Sequence, residues 1–190
     1  SSNNANCTIV GSTLTAAAAG GCTVTATKAA DTNYNAATAT VNVTTNLIAQ
    51  TITFGANPGP VTYAPAGTFT VSATGGGSGN AVTFSSTTPA VCTSGGTNGS
   101  TITIVTAGSC VIAADQAGNA TYAAAPQVTQ SITINKATQA TLTATATPST
   151  LTIGQTSALA TTGGSGTGAV SFSSNNANCT IVGSTLTAAA

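Results

Sequence analysis

Residues 1–18 read SSNNANCTIVGSTLTAAA, and the same eighteen letters return unchanged as residues 173–190. An identity of that length does not arise by chance, so the offset of 172 (1 to 173) marks one full period of a repeat plus a short overlap. A looser repeat lies inside it. Ala107-Gly108-Ser109-Cys110 matches Ala19-Gly20-Gly21-Cys22, and a tyrosine follows each cysteine by twelve residues, Tyr122 and Tyr34. Ala81-Val82-Thr83-Phe84-Ser85-Ser86 likewise matches Ala169-Val170-Ser171-Phe172-Ser173-Ser174, and the 88 residues from Phe84 to Phe172 equal those from Tyr34 to Tyr122. The period thus holds two related units, each of the size of a small β-sandwich.

The unit boundaries follow from these matches. Residues 48–135 hold one complete unit of type 1, residues 136–190 the N-terminal part of a type 2 unit, and residues 1–47 the C-terminal part of the same type. The segment is expected to start and stop in mid-domain, as a window on a longer tandem array. Were it a finished chain, residues 1–47 of one molecule would complete residues 136–190 of another, with the duplicated eighteen competing for one place.

Within residues 48–135 the apolar period is two. Ile52 and Phe54 are in phase, then Phe69, Val71 and Ala73, then Val82 and Phe84. Ile102 and Ile104, Cys110, Ile112 and Ala114, and Val128, Ile132 and Ile134 continue the pattern, with Thr and Ser in the opposite phase. That is the signature of strands with one buried and one wet face. Pro58-Gly59-Pro60, Gly75-Gly76-Gly77 and Gly95-Gly96 punctuate them as turns. About seven short strands at this spacing predict an all-β chain of tandem immunoglobulin-like β-sandwich domains. The alanine runs at 16–19 and 123–125 are too short for a stable helix and read as loop or strand ends.

Composition removes most chemistry. Lys28, Lys136, Asp31 and Asp115 are the only charged side chains, there is no histidine, and the formal charge is zero. Charged residues make up 2%, against about 25% in an average domain. No basic face exists for nucleic acid, no acidic cluster for calcium, and no His, Cys and carboxylate group for zinc. General acid–base catalysis has almost no side chains to work with, so no enzyme, cofactor or metal is expected. No apolar run reaches the length of a membrane helix, and Ser1-Ser2-Asn3-Asn4 opens no signal peptide within this segment.

With aromatics at 4%, the core must be built of Ala, Val and Ile, and a unit this small needs a staple. Cys92 and Cys110 enclose 17 residues, and Cys7 and Cys22 enclose 14, at equivalent places in the two units. One disulfide per domain is expected, each worth ~3 kcal/mol in the chain-entropy model. Cys179 copies Cys7, and its partner would lie beyond the window. Paired cysteines imply an oxidising, extracytoplasmic compartment; buried free thiols are the alternative.

Pro89-Ala90-Val91-Cys92-Thr93, Ala107-Gly108-Ser109-Cys110 and the stretch Gln116-Ala117-Gly118-Asn119-Ala120-Thr121-Tyr122-Ala123-Ala124-Ala125-Pro126 resemble the bacterial immunoglobulin-like repeats of very long secreted and surface proteins, giant adhesins among them. Gln50-Thr51-Ile52-Thr53-Phe54 resembles the opening of such a repeat. The match covers residues 48–135 well and the second unit loosely, where Asn178-Cys179-Thr180 lacks the proline and Thr27-Lys28-Ala29-Ala30-Asp31 replaces the Gln-Ala-Gly stretch. The resemblance implies a spacer or filament-building role with no catalytic or ligand residues to carry over.

Several features were candidates for chemistry. Lys28 with Asp31, and Lys136 with Asp115, are the only ingredients for a Lys–Asn isopeptide bond, and the first pair reads more simply as an exposed ion pair. Asn6, Asn42, Asn98, Asn119 and Asn178 begin Asn-x-Ser/Thr triplets, with Asn98 in a Gly-rich loop the best placed acceptor. The alternating threonines of residues 141–147 have the pattern of an ice-binding ladder, but more simply of a half-buried strand. Tyr34, Tyr63 and Tyr122 are expected to cap the core rather than line a sugar site.

The function expected from these residues is mechanical: a structural repeat of a secreted bacterial fibre, stalk or matrix filament, self-associating or serving as a spacer, with copies of itself as partners. The alternative is an adhesin module whose loops, such as residues 75–80, bind a glycan or host surface. Because almost nothing titrates there, the thermal midpoint should stay within about 10 °C from about pH 5 to 8. Calorimetry across that range checks it, and a larger movement would contradict the charge-poor reading.

Overall fold

Thr, Val and Ile alternate along most of the chain, and β-branched side chains favour extended backbone. A computed structural model, which describes residues 1–2 and 5–189, is accordingly all-β, with 48% strand and 2% helix. Asn3, Asn4 and Ala190 of the duplicated segments lie outside the described residues. Two compact units are present, Ser1–Lys136 and Ala137–Ala190.

The first unit opens with two hairpins, β1 (Cys7–Val10) with β2 (Thr13–Ala16), and β3 (Gly20–Lys28) with β4 (Ala37–Thr45). Then follow β5 (Thr53–Phe54), β6 (Val61–Thr62), β7 (Thr68–Thr70), β8 (Ala73–Thr74), β9 (Val82–Ser86), β10 (Cys92–Gly95), β11 (Thr101–Ile104), β12 (Gly108–Gln116) and β13 (Val128–Asn135). A 3-10 turn, Thr97–Gly99, joins β10 to β11.

Strands β5 to β13 form two layers. One is the sheet β6-β13-β12-β9, antiparallel except for the parallel pairing of β6 with β13. The other runs β10-β11-β7 and β8-β5. Strands β7 and β8 are consecutive parts of one run: Val71 N–H donates to Ser100 O, and Ser72 O accepts from Gly55 N–H. The run therefore keeps β11 on one side and β5 on the other. The apolar core draws on both layers, with Val71, Ile102 and Ile104 from one and Ile112, Ile132 and Ile134 from the other. Phe54, Phe69 and Phe84 pack against it half-buried. The period-two phase picked these positions. Ala113, in the opposite phase, is buried too, because β12 is a central strand and Ser85 and Thr129 flank that small side chain.

The second unit is one sheet in the order β14 (Leu142–Thr147), β15 (Thr156–Gly163), β17 (Thr185–Ala188), β16 (Cys179–Val182). Hairpin β16–β17 has the register of β1–β2: Cys179 faces Ala188 as Cys7 faces Ala16. Its turn glycine, Gly183, has φ +62°, and Gly11 has φ +61°. A left-handed residue suits the two-residue turn, and only glycine adopts it without strain. Strand β14 differs from the expected half-buried strand: of its six residues only Ala146 is half-buried. Residues 169–174 lie outside any strand, although residues 81–86 of like sequence contain β9.

Ile112 sits at the centre of the core with no exposed surface. Replacing it with alanine should destabilise the first unit by about 2–5 kcal/mol, from lost burial plus an unfilled cavity. Chemical denaturation measures this, and a change within experimental error would mean that the two layers do not share a core.

Candidate functional site

Two cystines hold the first unit. Cys92 of β10 and Cys110 of β12 are bonded, their Cα atoms 5.7 Å apart, and both are fully buried. Because β10 and β12 belong to different layers, this bond crosses the core. Cys7 of β1 and Cys22 of β3 are bonded with Cα atoms 6.2 Å apart. Cys179 is free and half-buried, with Ser174 Oγ 3.0 Å from its sulfur. Two disulfides point to an oxidising compartment.

The glycine-rich loop at residues 75–80 is held from beneath by two buried glutamines. Gln116 Oε1 accepts from Gly76 N–H at 2.7 Å, and its Nε2 donates to Asn80 O at 2.8 Å. Gln50 Oε1 accepts from Ser78 N–H at 2.9 Å, and its Nε2 donates to Ala117 O at 3.2 Å. Asn80 Nδ2 donates to Gly118 O at 2.8 Å, and Asn119 Nδ2 to Ser78 O at 2.8 Å. Close approach requires glycine here, since a Cβ at Gly76 would collide with Gln50 Cβ and one at Gly77 with the Tyr122 ring. The loop offered as a binding surface thus directs much of its polar capacity inward. Sequence reasoning missed both glutamines, though their phase was a signal: Gln50 precedes Ile52 by two, and Gln116 follows Ala114 by two, on the buried side of each strand. In the second unit Gln139 plays a similar part, accepting from Gly166 N–H at 2.8 Å.

The charged residues serve turns and surfaces. Asp31 Oδ1 accepts from Asn33 and Tyr34 N–H at 2.8 and 2.9 Å. Asn119, 88 residues on, makes the same turn with Thr121 and Tyr122 N–H at 2.8 and 2.9 Å. The Asp31 carboxylate therefore has a backbone role, and Asp115 receives the Gln127 amide at 2.9 Å on the exposed face. Among the described residues no three His, Cys, Asp or Glu side chains gather as a metal site.

Asn98 is exposed in the 3-10 turn with φ +54°. Asn42 lies mid-strand in β4, its Oδ1 accepting from Thr23 Oγ1. Tyr63 packs on the core and Tyr122 lies half-buried by Gly77, but Tyr34 is 76% exposed. The residue that matches Gly77 at the 88-residue offset is Ser165, which belongs to the other unit, so Tyr34 has no such loop beneath it in its own unit.

Gln116→Leu keeps the shape but leaves Gly76 N–H and Asn80 O without their partner. It should cost about 1–3 kcal/mol in a denaturant titration, whereas Gln127→Ala on the exposed face should be near neutral. Equal effects of the two changes would remove the structural role of the clamp. No family model, no curated protein and no solved structure matches this chain.

Proposed function

We propose that the chain is a structural module of a secreted bacterial fibre, stalk or matrix filament, built from immunoglobulin-like sandwiches in tandem. The observation that carries this reading is the strand order of residues 48–135. A layer β5, β7/β8, β11, β10 and a layer β6, β13, β12, β9 share one core, and this order supports the immunoglobulin-like reading, since it corresponds to ABED and CFG with the first strand divided between the sheets. The second sheet, β14, β15, β17, β16, has the order of the first of these layers. Strand β3 stands 88 residues before β12 at both ends, each opening on a glycine of positive φ, Gly20 and Gly108.

A mechanical role suits this chemistry. The surface is Thr, Ser and Asn with almost no charge, and net charge near zero favours packing of one copy on another. Two cystines provide the stability that small side chains do not. An adhesin function through residues 75–80 gains no support, because much of that loop's hydrogen bonding is internal.

Assemblies held this way should persist when ionic strength is raised, since exposed charges contribute little to their contacts. Light scattering and electron microscopy across a salt series test it. Filaments that dissolve as salt rises, or a chain that never assembles, would contradict the self-associating reading.

A further inference from the structure

An asparagine side chain can close on its own backbone where its amide carbon meets the nitrogen of the next residue. Glycine obstructs that approach least, because it carries no side chain. Asn98 is the one asparagine in the sequence that a glycine follows. It is exposed, at the lip of an open groove lined by Ala73, Val82 and Phe84. Among the described residues none hydrogen-bonds to its side chain, whereas Asn57, Asn80 and Asn119 commit theirs to backbone groups. Hairpins β1–β2 and β16–β17 turn on Gly11-Ser12 and Gly183-Ser184 and have no amide at this place.

The backbone at Asn98 stands one rotation from the reacting geometry. Asn98 has φ 54° and ψ 20°, Gly99 has φ 77°, and Ser100 N–H donates to Thr97 O at 3.1 Å. Positive φ at both central residues is the mark of a type I′ turn over residues 97–100. Its relative, type II′, keeps φ positive at the first central residue and takes ψ there to about −120°. The two differ by a flip of the peptide between Asn98 and Gly99, and the Ser100–Thr97 bond closes both. Cβ lies about 120° round the Cα–C bond from the residue's own nitrogen. At the ψ of 20° the Gly99 nitrogen therefore points away from Asn98 Cβ, and at about −120° it eclipses that atom. The flip releases Gly99 N–H from Gly96 O, a bond of 3.3 Å. Glycine takes either sign of φ without strain, and a Cβ at this position would collide with Phe84 O.

We propose that Asn98-Gly99 is a self-modifying site, at which the folded chain converts a neutral amide to a carboxylate with water as the co-reactant. The inference goes beyond the structural role proposed above and does not depend on it. Gly99 N gives its proton to solvent base and attacks Asn98 Cγ. An N–Cγ bond forms, the Cγ–Nδ2 bond breaks, and Nδ2 leaves as ammonia with a proton from solvent. The resulting succinimide takes up one water. Cleavage of the new N–Cγ bond gives aspartate; cleavage of the original peptide bond gives isoaspartate, in which the main chain runs through the former side chain. Nothing is oxidised or reduced, and the formal charge of the chain goes from 0 to −1. Isoaspartate adds one carbon to the main chain, so the two-residue turn loses its register. Time is thereby recorded as charge in a chain that has almost none, and like charges on packed copies repel until salt screens them.

The test incubates the 190-residue chain in heavy-oxygen water, in buffers from mildly acid to mildly alkaline, and returns it to ordinary water for digestion. Trypsin releases residues 29–136, and fragmentation in the mass spectrometer places the label. The expected result is loss of ammonia and gain of one heavy oxygen at residue 98, at least about tenfold faster than at any other asparagine. The rate should rise with pH, because the attacking nitrogen must give up its proton, and both aspartate and isoaspartate should form. Asn98→Gln, whose ring would be one atom larger, should lower the rate at least about tenfold with an unchanged circular dichroism spectrum. The chain reduced and unfolded in denaturant isolates the part played by the turn, and the folded chain should react within about tenfold of it. Label that builds no faster at residue 98 than elsewhere, or only in the unfolded chain, overturns the site. Aspartate without isoaspartate means direct attack of water on the amide and overturns the ring.

Discussion

A cystine crossing the core is the constraint on which the rest of the first unit depends. Cys92 and Cys110 come from opposite layers and are fully buried. The side chains around them are chiefly isoleucine and valine, with phenylalanine at the margins. So small a core contributes modest apolar burial, and a covalent link compensates by limiting the freedom of the unfolded chain. With the layers fixed at one point, short strands suffice, and two-residue strands such as β5 and β6 hold their places.

The second support is polar. Gln50 and Gln116 satisfy the backbone of a loop whose glycines let it lie close over them. Buried amides hydrogen-bonded at both ends stabilise a conformation that glycine alone would leave free. The Asx turns at Asp31 and Asn119 do the same for the chain reversal after β3 and after β12.

Much of this was legible in the sequence because it is local or periodic. Alternation located Ile102, Ile104, Ile112, Ile132 and Ile134 on the buried face, and the turn glycines separated the strands. What escaped was non-local. The parallel pairing of β6 with β13 joins positions some seventy residues apart, and nothing in Val61-Thr62 names Ile134-Asn135 as its neighbours. The structural role of the glutamines went unread, since only their phase marked them as buried. Threonines 141, 143, 145 and 147 were read as one wet face of a half-buried strand, yet β14 is exposed on nearly all sides. A strand's pattern records which face can be covered, and the covering layer has to come from elsewhere in the molecule or its surroundings.

The glycine turn shared by β1–β2 and β16–β17 has a consequence for timing. A hairpin that keeps its register and its left-handed glycine in two different settings carries its instructions within about ten residues. Such hairpins close in about 1–10 μs, far faster than layers that must meet across a long stretch of chain. Cys7 is therefore brought into register by contacts within its own hairpin, independently of the layers formed by residues 48–135. The first cystine then draws on local order as well as on the geometry that the folded unit reaches.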